Sequence, residues 1–215
     1  SEVKDPSGPV FTVPKDVLEG GTGYRIRLYS RREKGVRGKT ESMLLTNEVP
    51  RAGACFAFPL RGNALMTKFH IWCDGWTDAD MPLSYKFFYK NEGKLVLFYY
   101  GLHNFTRAEL PLGDPANNYT IEIEVKVLDF YKGEANYSLS LQSVEPDMKE
   151  DELGDKLADM TSGENSDLGK LVSVGDTQAA LRLAGAVNSL LNAQSTKSPS
   201  NDTKDISARK EKRKA

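Results

Sequence analysis

From Tyr119 to Val127 the chain alternates apolar and polar residues without a break. Tyr119, Ile121, Ile123, Val125 and Val127 fall in one phase, and Thr120, Glu122, Glu124 and Lys126 in the other. A period of two is the signature of a strand with one dry face and one wet face. Just before it lies Leu110-Pro-Leu-Gly-Asp-Pro115, a turn built from residues that preset φ or bond their own backbone.

A leucine, a Gly/Pro corner and a tyrosine opening a long alternating strand resemble the tyrosine corner of immunoglobulin-like and fibronectin type III sandwiches. Leu110 and Tyr119 are then the structural corner. The plainer alternative is one strand of an ordinary β-hairpin. The neighbouring sequence favours the sandwich, because strand-like runs recur at 54–58, 67–73, 83–89, 95–100, 107–112, 119–127 and 135–144. Seven such runs with no helical pattern between them predict a mainly β fold, an antiparallel sandwich over residues 51–146.

The flanks read differently. In residues 1–50, Phe11-Thr-Val-Pro14 is a short extended run, and Tyr24, Ile26 and Leu28 alternate with Arg25, Arg27 and Tyr29. A Gly-rich basic turn at 34–39 leads to a last strand at 41–46. This stretch reads as the C-terminal strands of a preceding fibronectin III-like domain. Its basic residues, Arg25 to Lys39, offer an anion site or a solvated loop, and the loop is the commoner use of such a run. Asn47-Glu-Val-Pro-Arg-Ala-Gly53 forms the boundary.

After Pro146, Leu153, Leu157 and Met160 recur at helical spacing, and Asp176 caps a second helical stripe. That stripe runs through Ala180, Leu181, Leu183, Ala184, Val187, Leu190 and Leu191. Residues 147–193 are thus a helical segment and 194–215 a disordered basic tail.

Composition narrows the chemistry. With 29 basic and 30 acidic residues the net charge is −1, which gives no overall field for nucleic acid. No apolar run approaches the roughly 20 residues that span a bilayer. The opening Ser-Glu-Val-Lys-Asp reads as the interior of a longer chain. Two cysteines are too few for a Cys-rich zinc site, and two histidines leave little for His-based catalysis. No phosphate loop or nucleophile motif is present. The expectation is a non-enzyme with no catalytic residue, no cofactor and no metal site. Asp74, Asp78 and Asp80 crowd one loop, where three carboxylates suit Ca²⁺, but Asx turns are the commoner reading.

Four N-glycosylation sequons begin at Asn104, Asn118, Asn136 and Asn201, where chance gives roughly 1.4 in a chain of this composition. Asn118 and Asn136 fall on the wet phase of their strands, which points to an extracellular or lumenal chain.

The segment Asn47-x-x-Pro50-x-x-Gly53-x-Cys55, then Phe58-Pro59, then Leu65-x-Thr67-x-Phe69-x-Ile71-x-Cys73-x-Gly75-Trp76-x-Asp78, then Pro82-Leu83-x-Tyr85, resembles the receptor-for-egg-jelly (REJ) module of the polycystin family. The later Leu-Pro-Leu-Gly run and Leu181-Arg-Leu-Ala184 fit the same pattern. The resemblance covers most of residues 10–192. It implies fibronectin III-like sandwiches on the outside of a multi-pass membrane receptor or channel subunit, and 147–193 as the start of a GAIN-type helical subdomain. It also implies a disulfide between Cys55 and Cys73, against the alternative of two buried free thiols. No Cys–Trp–Cys proteolysis motif, membrane helix or lipid-binding domain occurs in these residues, so self-cleavage and channel activity are not expectations for them.

Trp72 and Phe88 fall on the outward phase of their strands and are candidate partner contacts, unless an attached domain or glycan covers them. The partners expected are neighbouring ectodomain modules of the same parent and a protein or glycan ligand. Nucleic acid is not expected, and a membrane enters only through the parent's transmembrane region. Two other classes remain: a generic cell-adhesion protein with fibronectin III-like repeats, and an intracellular scaffold with a basic tail.

Overall fold

The structure, a computed structural model, describes residues 12–14, 17–32, 35–91 and 93–195. The expectations for Phe11, Lys34, Asn201 and the tail beyond 195 lie outside the described residues. Two antiparallel strands come first, β1 (Gly23–Arg32) and β2 (Gly35–Leu45). Strand pairing already holds from Gly35, so most of the expected basic turn at 34–39 belongs to β2. Arg25, Arg27 and Lys39 converge on Glu41, at 3.2, 3.0 and 3.6 Å. Among the described residues these three side chains form an ion-pair ladder on a hairpin, Arg25 and Arg27 reaching Glu41 across the strands and Lys39 along β2.

Eight further strands follow: β3 (Ala54–Phe58), β4 (Arg61–Asn63), β5 (Lys68–Asp74), β6 (Ser84–Asn91), β7 (Lys94–Gly101), β8 (Phe105–Glu109), β9 (Thr120–Leu128) and β10 (Glu134–Val144). One sheet has the order β3-β5-β8 and the other β4-β10-β9-β6-β7. All pairings in the two sheets are antiparallel except β4 with β10. The chain crosses between these two mainly antiparallel sheets several times, with β6–β7 and β9–β10 as hairpins within the larger one, and makes a fibronectin III-like, immunoglobulin-like sandwich.

The alternating phases meet in the middle. Phe69, Ile71 and Cys73 of β5 face Tyr85, Phe87 and Tyr89 of β6 and Ile121, Ile123, Val125 and Val127 of β9. Glu122 lies exposed on the opposite face, and Glu124 and Lys126 lie half-buried there. The period-two strand is thus the centre of the larger sheet, flanked by β10 and β6.

Tyr119 departs from the alternation. Asn118 and Tyr119 both have left-handed φ, 51° and 57°, which takes the tyrosine out of the strand's dry phase. Gly113 allows this, because a Cβ there would sit 2.0 Å from the Tyr119 carbonyl oxygen. Leu110 is fully buried.

Helices α1 (Glu150–Thr161), α2 (Asp167–Ser173) and α3 (Thr177–Ser195) complete the described chain. Asp176 caps α3 by accepting from the Ala179 N–H at 3.0 Å. Leu153 and Leu157 of α1 pack with Ala186, Val187 and Leu190 of α3 onto Leu65 of the sandwich. The expected α3 stripe is too broad: Leu181 is 73% exposed and Leu191 also faces solvent.

Candidate functional site

The outer faces of the two sheets differ in kind. On the larger sheet the outward residues are mostly charged and paired: Lys90 with Glu122 at 3.1 Å, and Lys126 with Glu134 at 2.7 Å. The Glu134 carboxylate, which accepts from Lys126, raises the lysine pKa above its ordinary value. Phe88 lies on this face, half-buried, with the Lys126 ammonium 6.0 Å from its ring centre. A bulge between Phe87 and Phe88 shifts its register against β7.

The smaller sheet shows an aromatic face. Register sets Phe56, Trp72 and Phe105 side by side across β3, β5 and β8, and Phe58, His70 and Arg107 in the next row. Residues two apart on a strand share a face, so these six form one platform. Ring centres lie 5.6 Å apart for Phe56–Trp72, 5.1 Å for His70–Trp72 and 6.0 Å for His70–Phe105. His103 extends the array, 5.7 Å from Phe105. Trp72 is half-buried between its neighbours, whereas Phe56, Phe105 and Phe58 are 45%, 47% and 70% exposed. Alternation along β5 singles out Trp72, but only the pairing of three strands gathers the other rings around it.

Behind this face, Cys55 and Cys73 are bonded. They are directly opposed on β3 and β5, so the bond lies within one sheet and does not cross the core. Both cysteines are buried. The joint upstream has a residue-level cause. Asn47 Nδ2 donates to the buried carboxylate of Asp129, whose other oxygen accepts from the Gly133 N–H at 2.8 Å. Gly53 is required because a Cβ there would fall 2.1 Å from the indole of Trp76. Trp76 packs against the core at the sandwich end.

The acidic loop does not converge. Asp78 Oδ1 accepts from the Asp80 N–H at 2.7 Å, an Asx turn, and Asp74 Oδ1 accepts from the next N–H, Gly75, at 2.8 Å. Among the described residues no three metal-ligating side chains cluster. Asn104, Asn118 and Asn136 are all exposed. Asn104 sits at the rim of the aromatic face and donates to the Cys73 carbonyl at 2.6 Å. At the corner, the Tyr119 hydroxyl donates to Glu145 Oε1 at 3.0 Å. No helix among the described residues is long and apolar enough to cross a membrane.

Similarity to known proteins runs along nearly the whole chain. A human protein, the polycystin family receptor for egg jelly, is 27% identical over 194 residues, 83% of this chain and 9% of its own length. Polycystin-1-like protein 1 of Oryzias latipes is 28% identical over 119 residues, 55% of this chain and 4% of its own. The chain therefore spans less than a tenth of either relative. Domains d3-d4 of the rat CD45 extracellular region match at 14% identity with a TM-score of 0.34, over 65% of this chain and 79% of theirs. The model of the REJ domain matches residues 2–186, which takes in the hairpin, the disulfide-bonded sandwich and most of the helices. The chain belongs to the REJ domain family.

Proposed function

We propose that this chain is a non-catalytic module on the extracellular side of a polycystin-like multi-pass membrane protein, a receptor or channel subunit. There it acts as a structural spacer and as a protein-interaction surface in adhesion or signalling. The observation that carries the reading is the aromatic face of β3, β5 and β8. A row in which Phe56 and Phe105 stand open to water on either side of a half-buried Trp72 disfavours an isolated domain and suits a covered interface. The disulfide and the three exposed sequons support an oxidising compartment.

In this reading residues 1–50 end a preceding fibronectin III-like domain, residues 51–146 are the complete sandwich of the REJ module, and residues 147–193 begin a helical subdomain. The hairpin's exposed Leu28, Met43 and Leu45 support the first of these, since a two-stranded hairpin is marginal alone.

The test has two arms. Secretion from a eukaryotic host, followed by intact mass before and after glycan removal, is expected to show occupied Asn104, Asn118 or Asn136 and no free thiol. A naked chain with two alkylatable cysteines overturns the extracellular reading in favour of an intracellular scaffold. In a longer ectodomain, Trp72→Ala with Phe105→Ala is expected to abolish cross-links from Lys68 to a neighbouring module. Undiminished cross-links refute the interface.

A further inference from the structure

A cleft of about 730 Å³ runs between the edge of the three-stranded sheet and the helices. One wall is β8, with Arg107, Ala108 and Glu109 followed by Pro111. The other is made by α1, α2 and α3, through Lys156, Lys170 and Arg182 among others. Met66, Tyr89, Phe98, Met160 and Leu183 give it an apolar lining. Burial raises the Tyr89 pKa, against the opposing pull of the nearby Arg182 charge.

The strand wall is an unpaired edge. The Cys73 N–H donates to the Asn104 carbonyl at 2.8 Å, which fixes the phase of the antiparallel ladder. By alternation Thr106 and Ala108 turn their backbone groups to β5, and Phe105, Arg107 and Glu109 turn theirs outward. Among the described residues no strand lies on that side. Edge strands of this kind accept a further strand from an incoming chain.

The charge is one-sided. Lys68, Arg107, Lys156, Lys170 and Arg182 line the cleft against only Glu109 and Asp167. The two acids are already used, by Lys68 at 3.8 Å and by Lys170 at 3.7 Å. Arg107 and Lys156 have no ion pair among the described residues. The chain's own end, Arg209-Lys-Glu-Lys-Arg-Lys214, has the wrong sign to fill the space. We infer that the cleft is a docking site for an extended peptide segment in which apolar residues alternate with aspartate or glutamate. The segment adds as a strand to β8, sends its apolar side chains to the lining and sets its carboxylates against Arg107 and Lys156.

Fluorescence anisotropy tests this with two labelled ten-residue peptides, valine alternating with glutamate and valine alternating with lysine. The glutamate peptide is expected to bind saturably at one site and weaken as salt rises, with no saturable binding of the lysine peptide. Lys156→Glu is expected to weaken binding at least tenfold. Arg107→Pro removes an outward N–H without touching the β5 ladder, and is expected to weaken binding beyond Arg107→Ala. Circular dichroism and the intact disulfide establish that each variant is folded. The site is refuted if neither peptide binds, if both bind equally, or if binding survives Lys156→Glu and Arg107→Pro. It is also refuted if sedimentation shows a second copy of the chain occupying the cleft.

Discussion

Replacing Cys55 and Cys73 together by alanine tests the sandwich at its most local bond. The cysteines are 18 residues apart in sequence. Closing a loop of that size lowers the entropy of the unfolded chain enough to contribute about 3 kcal/mol. Both side chains are buried, so alanine also leaves two sulfur-sized voids, worth about 1 kcal/mol more. The sum, about 4 kcal/mol, corresponds to a fall of roughly 10 °C in Tm for a chain of this size. Differential scanning calorimetry of the double variant, beside wild type with and without reductant, measures it. Hydrogen exchange should show the loss concentrated at β3, an edge strand whose backbone pairing is a five-residue ladder to β5. A loss below about 1 kcal/mol, or one spread evenly over both sheets, refutes the reasoning.

Two further perturbations test other parts of the structure. Gly53→Ala forces a methyl group into the Trp76 indole and is expected to cost about 1–3 kcal/mol, read as a lower urea midpoint by tryptophan fluorescence; an unchanged midpoint shows the contact to be soft. On the hairpin, the hydrogen bond from Arg27 holds the Glu41 carboxyl below its ordinary pKa. The ion-pair ladder is therefore present above the ordinary glutamate value and lost as pH falls through the lowered one. A carbon-13 titration of the Glu41 carboxyl should find a midpoint below that ordinary value, and a midpoint at or above it refutes the ladder.

What the sequence made legible follows from which signals are local. The strict alternation from Ile121 to Val127 can fold only one way, and that strand stands at the centre of the larger sheet. Arg61-Gly-Asn63 has no such signal: β4 is three polar or small residues long, and it exists because β10 offers it a parallel edge. The fifth strand was expected at 107–112 but lies at Phe105–Glu109. Leu110-Pro-Leu112 looks extended, yet it turns Leu110 into the core. Short α2 carried no stripe to read, with Gly169 near its middle and no buried residue. The aromatic face was half legible. Phase gives the outward direction of Trp72, but Phe56, Phe58 and Phe105 join it through register between strands far apart in sequence.

The placement of the disulfide also fixes how tension crosses the sandwich. A pull on the joint at Asn47 reaches Cys55 one residue into β3, and the covalent bond hands it to Cys73 at the far end of β5. The loop between the two cysteines, which contains β4, three of the five residues of β3 and five of the seven of β5, carries no load. When the rest of the sandwich is drawn out, that loop stays closed and withholds roughly 60 Å of contour length, at about 3.5 Å per residue. The sandwich thus has a shorter maximum reach than its residue count implies, and that reach depends on the oxidation state of one pair of sulfurs.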